Sequence, residues 1–513
     1  MIESAARGPE VVLRRIQLVL LAFSALNLGL VGACSRQEAA PAWDAADARC
    51  EPLARSVPAR PRNVVFVLAD TTRRDRLGLH GGPADTPRFD AFASEGVFFT
   101  AAETQAPWTK PSVATLFTGL PPSRHGVVSH PALRREKTQM ESDLLGPEHE
   151  TLAESLAAAG YQTAAFVSNP WLQRRLGFDQ GFETWDESMA HNATPGEVVT
   201  AAGLRWLRER GDDPRPYFLY LHYMDAHSPY HAVPTAEFEA RREQIAADLR
   251  PLTPKARGVI ARLARGPGKR PLTAEGAVPN LALFELVYDV GVAHFDRAFG
   301  RLLDGLEAQD DWAETAVVVT SDHGEALFER GYNDHGRGLY GDELDVPLAA
   351  RLPGVSTTGP ISCPVGLVDL RRSLCDYLGV ECQGDDRGTS VLSDEIAEPG
   401  RMVVSEGLYI APRNRAVRDA RHKVMYEPDG RLAKGPRTHA GGPWRFYDLV
   451  EDPGELRDLV SEGIPEPLRA DYERLSAAAK ASSAGPQTKA ATTLLDDETR
   501  RRLEALGYLD PVE

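Results

Sequence analysis

The chain has little cysteine, little positive charge and, after Cys34, no apolar run long enough to suggest a membrane span. Its five cysteines form no Cys-x-x-Cys pair, which removes the usual zinc and redox motifs. A formal net charge of −16 argues against a nucleic-acid partner, so any affinity for anions must come from a local site. Apolar content of 42% and charged content of 26% are ordinary for a soluble globular protein.

The N-terminus looks like an export signal. Arg14 and Arg15 precede an apolar stretch, Ile16 to Ala33, which ends in Val31-Gly32-Ala33-Cys34. A charged region, an apolar region and small residues in this order predict a secretory signal over 1–33. The ending resembles a bacterial lipobox, so we expect a lipid on Cys34 that anchors the chain to the cell envelope, at the periplasmic face or outer membrane. An uncleaved anchor helix is the alternative.

The remaining cysteines are Cys50, Cys363, Cys375 and Cys382. An exported compartment permits disulfides, and Cys375 and Cys382 are close enough in sequence to pair. Four cysteines allow three connectivities, and buried free thiols are also possible at this stage.

Apolar strand-like runs and helical segments alternate from Arg62 onward. This alternation predicts an α/β fold, with a mostly parallel sheet covered by helices on both faces. We expect a tether over 34–60, a large domain over 61–398 with a lid-like insertion at about 231–280, a small antiparallel subdomain over 399–465, and a linker with a terminal helix over 466–513.

Candidate site residues follow the predicted strands, where open α/β sheets collect their ligands. Val64 to Leu68 leads to Asp70, and Ala316 to Val319 leads to Asp322 and His323. The other candidates stand after a third strand or in loops: Asp225, His227, His335, Thr109 and Lys110.

These side chains suit the cleavage of a sulfate or phosphate ester. Such a reaction needs an activated hydroxyl and positive charge against the non-bridging oxygens, and a divalent metal supplies both. We expect Thr109 to be the nucleophile, in a loop before a helix-like stretch from Val113, with Lys110 binding the anion. Asp70, Asp322 and His323 are the first candidate ligands. The expected second set binds either another metal or the substrate oxygens: Asp225, His227 and His335.

Several segments together resemble the sulfatase family of the alkaline phosphatase superfamily. They are Val67-Leu68-Ala69-Asp70-Thr71, Thr109-Lys110-Pro111-Ser112, Thr118-Gly119-Leu120, Ser123-Arg124-His125-Gly126-Val127, Gly160-Tyr161-Gln162-Thr163-Ala164, Met224-Asp225-Ala226-His227-Ser228-Pro229, Thr320-Ser321-Asp322-His323-Gly324-Glu325, Asp345-Val346-Pro347, Tyr447-Asp448-Leu449 and Asp452-Pro453-Gly454-Glu455. The resemblance spans roughly 62–460 and implies a catalytic αβα sandwich with a smaller C-terminal sheet domain.

The chain departs from the main sulfatases at the positions that define their chemistry. Thr109 stands where they carry a Cys or Ser that becomes formylglycine, and Val113 stands where they carry Arg. Thr71 replaces a second Asp, His323 replaces an Asn, and Val167-Ser168-Asn169 stands where their Lys is expected. Thr cannot become formylglycine, so the resemblance implies a branch with a Thr nucleophile. Imidazole beside carboxylates favours zinc or manganese over calcium, with one or two ions.

The leading hypothesis is therefore an exported, metal-dependent hydrolase of sulfuric or phosphoric esters, with a preference for phosphoryl substrates. A phosphoethanolamine-type transferase is one alternative, although such transferases usually carry several transmembrane helices. A catalytically inactive surface lipoprotein that keeps the fold for binding is another alternative.

Overall fold

The computed structural model describes residues 49–55, 63–129, 140–190, 194–228, 277–330, 332–407, 414–428, 442–485 and 487–505. The expected signal peptide, Cys34, most of the tether and nearly all of the expected lid lie outside these residues. Within the described ranges, no helix combines the length and apolarity that a membrane span requires.

The described segments form a long alternation of strands and helices. The helices are α1 Pro87–Glu95, α2 Thr109–Thr118, α3 Pro122–His125, α4 Leu152–Ala158, α5 Gly196–Glu209, α6 Ala277–Glu307, α7 Gly341–Leu344, α8 Val368–Leu378, α9 Leu459–Glu462, α10 Arg469–Ala484 and α11 Asp497–Ala505. The strands are β1 Asn63–Ala69, β2 Val97–Phe99, β3 Ala102–Glu103, β4 Glu141–Asp143, β5 Gln162–Val167, β6 Thr184–Asp186, β7 Tyr217–Tyr223, β8 Thr315–Thr320, β9 Ala326–Leu327, β10 Asn333–Asp334, β11 Leu348–Arg351, β12 Gly359–Ile361, β13 Val365–Gly366, β14 Val403–Gly407, β15 Asn414–Arg418, β16 His422–Tyr426, β17 Trp444–Asp448 and β18 Thr492–Leu494.

The main sheet has eight strands in the order β12-β2-β11-β8-β1-β7-β5-β6. Strand β1 lies at its centre and pairs in parallel with β7 and with β8. The antiparallel contacts are those of β11 with β8 and β2. The predicted α/β class with a mostly parallel sheet is confirmed.

Alternate residues of the central strands enter two separate cores. Val64, Phe66 and Leu68 pack on one face, with helices α2, α4 and α8. Val65 and Val67 pack on the other face, with α1, α5 and α6. Because both faces are covered, the strands are apolar on both sides, as parallel strands in sandwich folds usually are.

The expected small antiparallel subdomain is present as the four-stranded sheet β14-β15-β16-β17. Helix α10 packs on this sheet through Leu475 and Ala479, against Val417, Val424 and Phe446. The structure therefore has a packed helix where part of the linker was expected. Its two apolar contacts are four residues apart and share one face of the helix, which accounts for the docking.

The four described cysteines form two disulfides. Cys50 is bonded to Cys363, and Cys375 is bonded to Cys382. The first disulfide joins the N-terminal segment to the main domain across 313 residues of sequence, and the second closes a short loop after α8.

A buried ion pair connects the segment after β1 to helix α6. The guanidinium of Arg76 donates two hydrogen bonds to the carboxylate of Asp289, from Nε and from Nη2, each of 2.8 Å. The side chains are 10% and 4% exposed, so neither charge is well solvated. A bidentate pair of this kind fixes orientation as well as distance.

Replacing Arg76 with Met should lower the free energy of unfolding by about 3–5 kcal/mol, because Asp289 would keep a buried charge without its partner. Denaturant unfolding followed by circular dichroism measures this loss. Arg205→Met is the matched control, since Arg205 and its partner Glu209 are 58% and 67% exposed. That change should cost less than about 0.5 kcal/mol. Equal losses in the two variants would show that burial of the Arg76 pair contributes nothing.

Candidate active site

Neighbouring strands of the main sheet carry polar side chains to the same edge. Asp70 directly follows β1, and Asp322 and His323 follow β8 within two and three residues. Asn169 comes two residues after β5, on the far side of β7. Because these strands run in parallel, their carboxyl ends lie side by side and bring these side chains together.

Thr109 reaches the same edge of the sheet from the first residue of a helix, and not from a loop. Helix α2 begins at Thr109 itself, whereas the sequence predicted a helical stretch only from Val113. Pro111 interrupts the apolar pattern but lies in the first turn, where proline needs no hydrogen-bonded N–H. The start of the helix places its positive dipole end beside the Thr109 hydroxyl, which favours negative charge there.

Four of the predicted residues converge on one point. The Thr109 hydroxyl oxygen lies 3.3 Å from Nε2 of His323. The same nitrogen is 3.6 Å from Oδ1 of Asp70 and 3.5 Å from Oδ2 of Asp322. All four side chains are almost fully buried. The sequence analysis thus placed Asp70, Thr109, Asp322 and His323 in one cluster, and the structure brings them together.

The cluster turns unshared electron pairs towards its centre. Oδ1 of Asp70 and Oδ2 of Asp322 have no hydrogen-bond partner among the described residues. Nδ1 of His323 lies 2.8 Å from the carbonyl oxygen of Gly324, so the neutral ring carries its hydrogen there and Nε2 keeps its lone pair. Ligand atoms of the two aspartates and the histidine lie within 4.8 Å of one another. This donor set fits a divalent cation.

Burial and mutual repulsion shift the titration of the two aspartates. Burial raises the pKa of Asp322 to about 7. Burial, followed by the charge of Asp322, raises the pKa of Asp70 well above its ordinary value. Burial also lowers the pKa of His323, so this ring is neutral near pH 7. The metal-free cluster therefore retains protons on its carboxylates near neutral pH, and its neutral His323 adds no positive charge.

Two backbone N–H groups donate to Asp322, one from the loop after β1 and one from the loop after β8. The N–H of Thr71 donates to Oδ1 of Asp322 over 3.3 Å, and the N–H of His323 donates to the same oxygen over 3.0 Å. Thr71 adopts a φ of 57°, in the left-handed region that β-branched residues rarely occupy. The residue that replaces the second Asp of the related sulfatases therefore contributes its backbone.

Asn169 belongs to the cluster, although the sequence analysis assigned it no role. Its Nδ2 donates to Oδ2 of Asp70 over 2.6 Å and lies 3.3 Å from the Thr109 hydroxyl oxygen. The signal was present in the sequence, because Asn169 follows a buried strand, as Asp70 and Asp322 do. In the sequence, Asn169 is the last residue of Val167-Ser168-Asn169, the segment that stands where the sulfatases carry a Lys.

His227 and His335 lie beside the cluster and form a second group with Glu325. The ring centroids of His335 and His323 are 4.4 Å apart, and those of His335 and His227 are 5.2 Å apart. Nδ1 of His335 is 3.3 Å from the Glu325 carboxylate. Burial disfavours protonation of His335, but Glu325, Asp334 and Asp70 outweigh it and raise its pKa to about 10. Burial lowers the pKa of His227 to about 3, so that ring is neutral.

The structure does not bring Asp225 into either group. Oδ1 of Asp225 accepts a hydrogen bond of 3.0 Å from the N–H of Gly196, at the start of α5. The i, i+2 spacing of Asp225 and His227 predicts that both side chains point the same way at the end of a strand. Strand β7 ends at Tyr223, however, and the N–H of His227 bonds back to Met224 in a turn. The two side chains therefore diverge, and Asp225 caps a helix.

Lys110 also has a different position from the one expected. Its ammonium group donates to Oγ of Ser142 over 2.7 Å, to the carbonyl of Ser129 over 3.1 Å and to that of Asp143 over 3.4 Å. It also lies 5.4 Å from the ring centre of Trp171. These partners lie outside the cluster around Thr109.

The sequence also matches a known family over this region. A profile of the sulfatase family matches residues 62–380, which include every member of the cluster. The chain belongs to the sulfatase family. Members of this family are ester hydrolases, and the prediction of a sulfatase-like ester hydrolase is confirmed.

Curated relatives of this sulfatase family member cover most of its length. An endo-4-O-sulfatase of Bacteroides thetaiotaomicron is 24% identical, over 80% of this chain and 91% of its own. A choline-sulfatase of Rhizobium meliloti is 25% identical, over 78% of this chain and 82% of its own.

Solved structures share the fold. A protein bound to its substrate D-glucosamine-2-N,6-O-disulfate superposes with a TM-score of 0.61 at 18% identity, covering 82% of this chain and 97% of its own. A phosphonate monoester hydrolase of Agrobacterium radiobacter superposes with a TM-score of 0.58 at 21% identity, covering 82% and 96%. The fold is thus shared by sulfate and phosphonate ester hydrolases.

Binding of a divalent cation to the cluster should depend on pH. A cation binds ionised carboxylates, and the pKa of Asp322 is about 7. Protons should therefore compete below that pH, so the affinity should fall by up to about tenfold per pH unit for each proton displaced. Titration with Mn²⁺ or Zn²⁺ between about pH 5.5 and about pH 8 measures this. An affinity that does not change over this range would contradict the assignment of Asp322 as a buried, protonated group.

Proposed function

We propose that this sulfatase family member is a metal-dependent hydrolase of sulfuric or phosphoric esters in which Thr109 is the nucleophile. The observation that carries the proposal is the position of the Thr109 hydroxyl, 3.3 Å from Nε2 of His323 and beside two carboxylate oxygens. Asp70, Asp322 and His323 would hold the divalent ion together with Thr109. Once bound, the ion would lower the pKa of the hydroxyl and offset the charge of the substrate oxygens.

The residues of the chain prepare Thr109 for in-line attack. Asn169 donates towards the hydroxyl oxygen, and the N-terminus of α2 favours the negative charge that develops when the hydroxyl proton leaves. Attack forms a bond from Oγ1 to sulfur or phosphorus and breaks the ester bond, releasing the alcohol. Water then cleaves the covalent Thr109 ester and restores the hydroxyl.

We assign the substrate oxygens to His227 and His335. Both rings are buried beside His323, and His335 carries positive charge because Glu325 lies 3.3 Å away. Of the two, His335 carries the kind of positive charge that formylglycine sulfatases draw from Arg and Lys. Asp225 is left out of the proposed ligand set because it caps α5. A second ion would have to use Glu325 in its place.

The ester type remains a proposal with a phosphoryl preference. Thr109 cannot be converted to formylglycine. Val113, which stands at the position of the sulfatase Arg, is buried in the core. Named relatives of this chain act on sulfate esters, while the phosphonate hydrolase shares its fold. Zinc or manganese is favoured over calcium because His323 contributes nitrogen.

We also propose that the protein is exported and held by a lipid on Cys34. The two disulfides, Cys50–Cys363 and Cys375–Cys382, support an oxidising compartment. The lipid anchor rests on the sequence of the N-terminus alone.

Replacing Thr109 with Ala should reduce turnover by at least about a thousandfold, because the change removes the hydroxyl that would form the covalent ester. The measurement is hydrolysis of aryl sulfate, phosphate monoester, phosphodiester and phosphonate substrates by the metal-loaded protein. Metal content should stay stoichiometric, since the two aspartates and His323 remain.

Thr118→Ala is the matched control, because Thr118 ends the same helix and its hydroxyl bonds away from the cluster, donating to the carbonyl of Ala114 and accepting from the N–H of Leu120. It should keep wild-type turnover. Retained turnover in Thr109→Ala would refute the nucleophile. Transfer of the sulfuryl or phosphoryl group to a sugar or lipid acceptor, in preference to water, would identify a transferase. Wild-type protein with neither metal nor turnover would identify an inactive binding protein.

A further inference from the structure

A histidine outside the predicted site lies beneath the cluster. His222 is the second-last residue of β7, and its ring is fully buried. Neither of its ring nitrogens has a hydrogen-bond partner within the described part of the chain. Its Nε2 lies 3.5 Å from Oδ2 of Asp70. A buried polar ring with no partner is costly, so its position beside a site residue calls for an explanation.

The strand register places this ring on the functional face of the sheet. His222 pairs with Leu68, which is two residues before Asp70 and therefore points to the same side. Tyr220 precedes His222 by two residues on that side, and its hydroxyl also has no partner among the residues described. Polar groups of β7 thus lie under the carboxylates, in a layer that is otherwise apolar.

The two oxygens of Asp70 have different surroundings. Oδ2 faces two nitrogens, Nδ2 of Asn169 at 2.6 Å and Nε2 of His222 at 3.5 Å. Oδ1 faces Nε2 of His323 and lacks any hydrogen-bond partner in the ranges that the structure describes. Donors on one oxygen leave only the other available to a cation.

We propose that His222 is a positioning residue that donates its Nε2–H to Oδ2 of Asp70 and so presents Oδ1 to the ion. The inference rests on the proposed metal site. A ring rotation that shortens the 3.5 Å separation by a few tenths of an ångström would complete the hydrogen bond. Outer hydrogen bonds of this kind orient the ligating carboxylate and raise metal affinity.

The test compares His222→Gln with His222→Asn. The amide nitrogen of Gln reaches about as far as Nε2 of the histidine, whereas that of Asn stops near Nδ1. Competition with a chromophoric chelator gives the dissociation constant for Zn²⁺ and for Mn²⁺. His222→Asn should weaken binding by about 10- to 100-fold, and His222→Gln should stay within about threefold of wild type.

Thermal unfolding of the metal-free variants separates positioning from folding, because both amides should unfold at similar temperatures. Equal dissociation constants for wild type, His222→Asn and His222→Gln would overturn the positioning role while leaving the metal site intact. Equally weakened binding in both variants would also overturn it, since the reach of the donor would not matter. Wild-type protein that binds neither ion would overturn the metal site and this inference together.

Discussion

Two carboxylates buried against each other, Asp70 and Asp322, set the constraint on which the rest of the site depends. Within the described residues neither forms an ion pair with a lysine or arginine, and each is at most 1% exposed. Hydrogen bonds from Asn169 and from backbone N–H groups offset part of the cost. The remainder raises the pKa of both groups, so the metal-free site retains protons near neutral pH. Under the proposed function, a divalent cation would replace those protons.

The fold holds these two buried carboxylates close together because they stand at the ends of rigid elements. The central strands are buried on both faces, and the α2 N-terminus is fixed by a helix whose residues are all buried. The bidentate pair of Arg76 and Asp289 ties the loop beyond Asp70 to α6. Side chains on such elements keep their geometry without the ion, so binding does not need to order the site.

The sequence predicted the sheet and the residues that meet at its central edge because each depends on a local signal: a buried β-branched run that stops at an ionisable residue. Asp70, Asp322 and His323 show that signal. The surroundings of Asp225 and Lys110 could not be predicted in this way, because the direction of a polar side chain depends on where a strand ends and what packs beside it. His222 could not be predicted as a site residue, because it lies inside a strand whose sequence indicates only a buried core position.

The sequence differences from formylglycine sulfatases together reduce the positive charge that the site offers to an anionic substrate. Val113 is buried in the apolar core, and Lys110 donates to groups outside the cluster, so neither supplies positive charge to an anionic substrate. Beside the cluster, His335 holds positive charge because Glu325 pairs with it. Under the proposed function the ion and His335 would therefore share the substrate oxygens, and only the ion would activate Thr109. Removal of the ion would then end the chemistry and weaken substrate binding, while His335 would keep the part of the binding that an arginine and a lysine supply in formylglycine sulfatases.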